Sequence, residues 1–153
     1  VKLSSLEIVG KKNAIFVDGE KFKSIISWNN YEDIENIRLR FEIRMMDNTP
    51  VTTAVSSSKF SCYKNRESRY EIDMDISRLV TGKYQLFVVL DEVGELGECR
   101  DLDIVNPACV FEVINSKLNS YAFEWRSEVW GNIQLKDLEM VKVEESSKYE
   151  SII

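Results

Sequence analysis

Hydrophobic residues recur at every second position along most of this sequence, which is the pattern of a β-strand with one buried side and one solvent-facing side. The clearest case is IRLRFEIRM (37–45), where Leu39, Phe41 and Ile43 alternate with charged residues. Three other segments show the same alternation: KFKSIISWNN (21–30), YEIDMDI (70–76) and GKYQLFVVLDE (82–92). This pattern is typical of antiparallel sheets that pack on a core with one face and meet water with the other.

Turn-forming residues separate the alternating segments. VDGE (17–20) contains an Asp-Gly pair, which supplies the positive φ angles of a type I′ hairpin turn. Three more breaks are predicted, at DNTP (47–50), TGK (81–83) and NPA (106–108). We predict one helical turn, within DISRLVTG (75–82).

Weaker alternation predicts further strands at 3–9, 13–17, 51–56, 108–115 and 131–137. About nine short strands separated by turn signals, with no internal repeat, are typical of a sandwich of two sheets. We therefore predict an all-β fold, an immunoglobulin-like or jelly-roll antiparallel β-sandwich.

The length and composition fit one globular domain. The chain has 153 residues, of which 44% are hydrophobic and 30% charged. We expect the sandwich to occupy residues 1–138, with a flexible C-terminal tail at 139–153. The first ten residues do not resemble a signal peptide, and we expect the chain to be a domain of a longer protein. A net charge of −6 argues against a nucleic-acid partner, which requires a basic surface.

The sequence has no histidine and three cysteines, Cys62, Cys99 and Cys109. It therefore lacks the commonest general base and the commonest metal ligand. An odd number of widely spaced cysteines indicates neither a disulfide framework nor a zinc site, so we expect reduced thiols. We expect no catalytic residues, no metal and no cofactor.

The alternation predicts two outward faces. On the first, the strands at 20–29 and 70–76 would be antiparallel neighbours, with lysines on one strand and acids on the other. These residues are Lys21, Lys23 and Ser27 opposite Glu71, Asp73 and Asp75. Opposite charges across a strand pair are an ordinary solvated arrangement, so we assign this face no ligand.

The second outward face would be formed by the strands at 37–45, 82–91 and 108–115. Its outward residues would be Arg38, Arg40, Glu42, Arg44, Lys83, Gln85, Phe87, Val89 and Glu112. Planar guanidinium donors, carboxylates, an amide and an exposed aromatic ring together suit a sugar. We predict glycan contacts from Arg40, Glu42, Arg44, Gln85 and Phe87. The alternative is a salt-bridge ladder with Phe87 covered by a loop or by the C-terminal segment.

Two tryptophans lie five residues apart in YAFEWRSEVWGNIQL (121–135), close after Tyr121 and Phe123. We expect Trp130 to pack a terminal strand against the sandwich, and Trp125 to reach either this seam or the rim of the glycan face.

Four segments occur in an order that resembles the C-terminal domain of the ATP-binding subunit of Wzt-type polysaccharide ABC transporters. They are FVDGEKFKSIISWNN (16–30), TGKYQLFVVL (81–90), DLDIVNPACVFEV (101–113) and WGNIQL (130–135). The resemblance covers roughly residues 3–137. It implies a β-sandwich that recognises a bacterial cell-surface polysaccharide, such as the O-antigen of lipopolysaccharide, on its undecaprenyl carrier. It also implies a cytoplasmic position at the inner face of the plasma membrane, reached through the transporter.

The resemblance further implies partners and a few residue roles. The partners would be the nucleotide-binding domain and transmembrane subunit of the exporter, and a second copy in a homodimer that exchanges its C-terminal strand. WGNIQL matches the terminal strand, so Trp130, Ile133 and Leu135 would pack or exchange there, whereas Trp28 would be a core aromatic. The chain contains no G-x-x-x-x-G-K-[ST] phosphate loop, so the ATPase activity is expected in the parent subunit.

Two other functions stay open at this point. The chain could be a protein–protein adaptor or adhesion sandwich without sugar affinity, which a glycan-binding assay would distinguish. It could be a glycosidase that uses Glu71, Asp73 and Asp75 as its paired carboxylates. The second is disfavoured because these acids face lysines on a solvated surface, where burial does not raise a pKa.

Overall fold

The computed structural model describes residues 1–17, 20–114 and 125–143, which form nine strands and one short helix. The strands are β1 (Lys2–Ile8), β2 (Ile15–Val17), β3 (Phe22–Asn29), β4 (Ile34–Met45), β5 (Pro50–Val55), β6 (Phe60–Cys62), β7 (Glu67–Met74), β8 (Gly82–Val93) and β9 (Cys99–Ile114); the helix is α1 (Ser127–Trp130). Helix α1 has four residues, so no helix in the described ranges could cross a membrane.

The strands form two sheets. One sheet has three strands in the order β1-β3-β7, and the other has six, with the order β2-β9-β8-β4-β5 and β6 paired to β4. All pairings are antiparallel except that of β2 with β9, which is parallel. The predicted all-β sandwich is confirmed, and so are the predicted neighbours within each sheet.

The core lies between the two sheets and follows the period-two pattern. The inward side chains of β3, β4 and β8 are buried, among them Phe22, Ile26, Trp28, Leu39, Phe41, Ile43, Tyr84, Leu86, Val88 and Leu90. Trp28 is completely buried, as predicted, and its indole Nε1–H donates to the Cys62 sulfur at 3.2 Å. All three cysteines are free thiols.

Strand β9 differs most from the sequence prediction. It runs over sixteen residues, whereas the sequence predicted a break at 106–108 and a strand only from 108. The pairing with β8 shifts register instead, because Leu86 pairs with Cys109 and Val88 pairs with Val105. A bulge of this kind accommodates Pro107, which has no N–H to donate, without ending the strand.

The predicted terminal strand at 131–137 is wrong, because its residues make only an isolated bridge, between Ile133 and Leu79. The predicted helical turn at 75–82 is a single hydrogen-bonded turn, Leu79 N–H to Ile76 C=O. Strand β6 and helix α1 were not predicted. The Asp18-Gly19 turn, Tyr121, Phe123 and residues 144–153 lie outside the described residues.

Candidate functional site

The outward face of the six-stranded sheet carries a line of ion pairs, the arginine ladder, made by Arg38, Asp91, Arg40, Glu42 and Arg44. Arg38 donates to the Asp91 carboxylate from Nε at 3.1 Å and from Nη2 at 2.6 Å. Arg40 bridges the two acids, with Nη1 2.8 Å from Asp91 Oδ2 and Nε 2.8 Å from Glu42 Oε2. Arg44 Nη2 donates to Glu42 Oε1 at 3.0 Å. The ladder therefore links strands β4 and β8.

Strand register explains the ladder. Arg38 pairs with Asp91 across β4 and β8, and Glu42 and Arg44 pair with Phe87 and Gln85. Asp91 has no exposed surface, and a buried carboxylate is costly unless charged donors surround it. Sequence reasoning did not identify Asp91 as a residue of this face. The signal was its position, which continues the outward alternation of β8.

The ladder favours the charged forms of Glu42 and Arg38. Burial acts to raise the pKa of Glu42, but hydrogen bonds from Arg40 and Arg44, together with their charges, outweigh it and hold this pKa below its usual range. The hydrogen bond to Asp91 raises the pKa of Arg38. Arg40 also lies 4.0 Å from Asp101. With Asp101 counted beside the two acids of the ladder, three guanidinium groups thus face three carboxylates.

Phe87 lies on this face but is not exposed, and the prediction of an open aromatic plate is wrong. Only 9% of its surface is accessible. The guanidinium carbon of Arg44 lies 4.7 Å from the centroid of its ring, because a long arginine side chain can lie across the neighbouring strand. Neighbouring Ile104 and Val110 on β9 are exposed at 47% and 44%. This arrangement is the salt-bridge ladder that was the alternative from the sequence. The Arg44 side chain, rather than a loop or the C-terminal segment, covers Phe87.

Gln85 also faces outward, and its amide nitrogen is engaged. It donates to Met45 C=O and to Asn48 Oδ1, both at 2.9 Å. Asn48 has φ near 70° in the turn between β4 and β5, a backbone conformation in which asparagine is enriched. Gln85 therefore anchors this turn beside Arg44.

The opposite face, on the three-stranded sheet, carries the solvated pairs of lysines and acids that the sequence predicted, but Ser27, predicted to face solvent beside them, is buried. Lys23 on β3 is the cross-strand partner of Asp73 on β7, and Lys21 Nζ lies 3.8 Å from Asp73. Hydrogen bonds from the side chain and backbone of Ser77 lower the pKa of Asp75. The general acid of a glycosidase needs a raised pKa, so Asp75 is a poor candidate for that role.

A groove of about 590 Å³, the edge groove, lies between β5 and β7, the edge strands of the two sheets. The core residues Trp28 and Phe41 line it, together with Tyr70. Tyr70 stacks on Trp28 at 5.3 Å and is 41% exposed. Residues 52–55 of β5 are exposed. The edge groove is thus a place where the core meets solvent.

The C-terminal segment adjoins one end of this groove. The backbone N–H of Val80 donates to Asn132 C=O at 3.0 Å, and Ile133 lines the neighbouring part of the groove. Trp130 is 45% exposed and packs edge-on against Trp125, with ring centroids 5.4 Å apart. Within one copy Ile133, rather than Trp130, is the half-buried contact with the sandwich, and packing of Trp130 across a homodimer stays a prediction. Trp125 donates from Nε1 to Gly131 C=O at 2.7 Å.

Beyond Gln134, which is buried, the described chain is exposed. Five apolar side chains of this stretch are 77–90% accessible: Leu135, Leu138, Met140, Val141 and Val143. No group of three or more acidic or cysteine side chains within 1–17, 20–114 and 125–143 is arranged to hold a metal ion.

Comparisons with known proteins give one fold-level result. No family model matches the sequence, and no curated protein matches it. The fold is similar to that in the crystal structure of the C-terminal domain of Wzt, with a TM-score of 0.64 and 12% sequence identity. The match covers 90% of this chain and 80% of that one. The sequence resemblance is thus confirmed at the level of the fold.

Proposed function

We propose that this chain is a non-catalytic carbohydrate-binding domain of a polysaccharide ABC exporter. The observation that carries the proposal is the fold shared with the C-terminal domain of Wzt over nine-tenths of the chain. Four segments that resemble such domains occur in the same order in the sequence. The parent subunit would hydrolyse ATP, and this domain would select the glycan to be exported.

We assign the glycan to the arginine ladder face, with Arg40, Glu42, Arg44, Gln85 and Phe87 as its contacts. The ladder supports this assignment because its planar groups are already fixed by one another, while Arg40 and Arg44 keep 24% and 30% of their side-chain surface exposed. Fixed donors and acceptors lose little conformational entropy when they bind adjacent sugar hydroxyls.

The remaining partners follow from the same proposal. The ligand would be an O-antigen-like polysaccharide on an undecaprenyl carrier. The domain would lie in the cytoplasm at the inner face of the plasma membrane, next to the nucleotide-binding domain and the transmembrane subunit of the exporter.

Glycan binding is tested by titrating the purified chain with the cell-surface polysaccharide of the producing bacterium, released from its lipid. We expect Arg40→Ala and Glu42→Ala each to weaken binding by about 1–3 kcal/mol, the range of a central contact. Lys21→Ala and Asp73→Ala are the controls, because each removes a charge of the corresponding sign on the other sheet. We expect both variants to bind the polysaccharide as the parent does. Unchanged binding in the ladder variants would contradict the assigned face, and no binding by the parent chain would support the adaptor alternative.

We also propose that two copies associate through the C-terminal segment that includes Trp130, Ile133 and Leu135. The exposed apolar side chains between 135 and 143 support this, because they follow Ile133, which lines a pocket that adjoins the edge groove. An extended segment from a second copy could pair with an edge strand and cover that groove at little cost in contacts.

Self-association is tested by analytical ultracentrifugation of a variant carrying Leu138→Asp and Met140→Asp. We expect the parent chain to sediment as a dimer and this variant as a monomer. Glu139→Ala, between the two positions, is the matched control and should stay dimeric. A dimeric double variant would mean that the segment does not form the interface.

A further inference from the structure

We propose that the Arg44 end of the arginine ladder is a gated subsite for an uncharged sugar ring. Phe87 is its floor and the Arg44 side chain is its movable cover. The inference rests on the proposed function, because it takes the ligand to be a glycan, and it adds the position of the subsite and the class of sugar.

The bulge between β8 and β9 creates the floor. The register shift between Leu86 and Val88 leaves Phe87 without a paired residue on β9. On the β4 side its partner is Glu42. The exposed side chains of Ile104 and Val110, which pair with Val89 and Gln85, flank the ring on the same face. An aromatic floor with apolar walls fits the C–H face of a sugar ring.

The cover is the most weakly held arginine of the ladder. Arg38 and Arg40 both bind the fully buried Asp91, at 2.6 Å and 2.8 Å. Arg44 instead has one close acceptor, Glu42 at 3.0 Å, and its other hydrogen bond, to Asn48 C=O, is 3.5 Å long. Its Nε is buried without a hydrogen-bond partner. A buried donor without an acceptor is unfavourable. A conformation of the Arg44 side chain that brings Nε to a ligand oxygen is therefore favoured over the conformation that covers Phe87.

The charges indicate the class of sugar. Each guanidinium of the ladder already faces a carboxylate, so the ladder offers no unpaired arginine to an acidic sugar or a phosphate. Once the Arg44 side chain is displaced from the Phe87 ring, it can donate hydrogen bonds to hydroxyl groups of the sugar, and Glu42 can accept hydrogen bonds from them. A methyl substituent would contact Ile104 or Val110. The subsite therefore fits an uncharged pyranose, and best of all one with a 6-deoxy or N-acetyl group.

The test titrates the full chain with three probes of equal length: oligosaccharides of neutral hexose, of 6-deoxyhexose and of uronic acid. We expect the 6-deoxyhexose probe to bind tightest and the uronic acid probe weakest. Phe87→Ala should lower the affinity about tenfold, the scale of one stacking contact. Phe87→Leu keeps the apolar volume and should fold normally, with a loss of about threefold. Arg100→Ala, at a distant exposed arginine of the same sheet, is the matched control and should bind like the parent.

A second measurement examines the cover without any ligand. Hydroxyl-radical labelling of the Phe87 ring should increase severalfold in Arg44→Ala and stay at the parent level in Arg100→Ala. Unchanged labelling in Arg44→Ala would overturn the gate. Tightest binding of uronic acid, or full affinity in both Phe87 variants, would overturn the subsite while leaving glycan binding in place. Failure of all three probes to bind to a chain that binds the released polysaccharide would overturn the subsite alone, whereas failure to bind that polysaccharide as well would overturn the proposed function.

Discussion

The two ends of the arginine ladder use the same residue type in different ways. At one end, Arg38 and Arg40 surround a carboxylate, Asp91, that has no contact with solvent. At the other end, Arg44 lies over Phe87 with a single close acceptor, and that acceptor, Glu42, is shared with Arg40. We propose that the burial of the acceptor separates Arg38, which stabilises the sheet, from Arg44, which can move to a ligand, while Arg40 bridges the two ends.

The largest expected effect is at the buried end. Asp91→Ala leaves Arg38 without its carboxylate acceptor and Arg40 with Glu42 as its one close acceptor, and removing one partner of a buried pair costs about 3–5 kcal/mol. Urea denaturation should show a loss of this size in the free energy of unfolding. Asp101→Ala is the control, because Asp101 is half exposed and 4.0 Å from Arg40, and it should change stability by less than about 0.5 kcal/mol. Equal losses in the two variants would remove the distinction between the ends.

A smaller effect separates the arginines themselves. Arg38→Ala removes two hydrogen bonds to a buried charge and should cost about 1.5–3 kcal/mol. Arg44→Ala removes one close bond to a partly exposed acid and one ring contact, so we expect less than about 1 kcal/mol. Thermal denaturation of both variants at neutral pH measures the difference. A greater loss in Arg44→Ala would mean that this arginine is structural.

The smallest expected effect is in the pH dependence of stability. Because the folded pKa of Glu42 is lowered, its contribution is fully present above the ordinary value of 4.5 and is lost as the pH falls through the folded value. The melting temperature of Glu42→Gln should therefore approach that of the parent as the pH is lowered from 6 towards 3. A difference that stays constant over this interval would show that the ladder does not hold Glu42 ionised.

The sequence predicted the faces of the strands well because burial and strand alternation share a period of two. It therefore placed Trp28 in the core and Arg40, Glu42 and Arg44 on one outward face. It did not predict the cover on Phe87, because a side chain that reaches across to the neighbouring strand depends on register. The terminal strand failed for a related reason: Ile133 and Leu135 alternate correctly, but strand formation needs a partner, and there the described chain makes only an isolated bridge.

The most direct test of the account is chemical-shift mapping of the ¹⁵N-labelled chain during titration with the released cell-surface polysaccharide. Shifts should concentrate at five residues of the arginine ladder face: Arg40, Glu42, Arg44, Gln85 and Phe87. The backbone signals of Lys21, Lys23 and Asp73, on the other sheet, should not move. Shifts confined to that second face or to the edge groove, or no shifts at all, would contradict the claim that this chain recognises a glycan through the arginine ladder face.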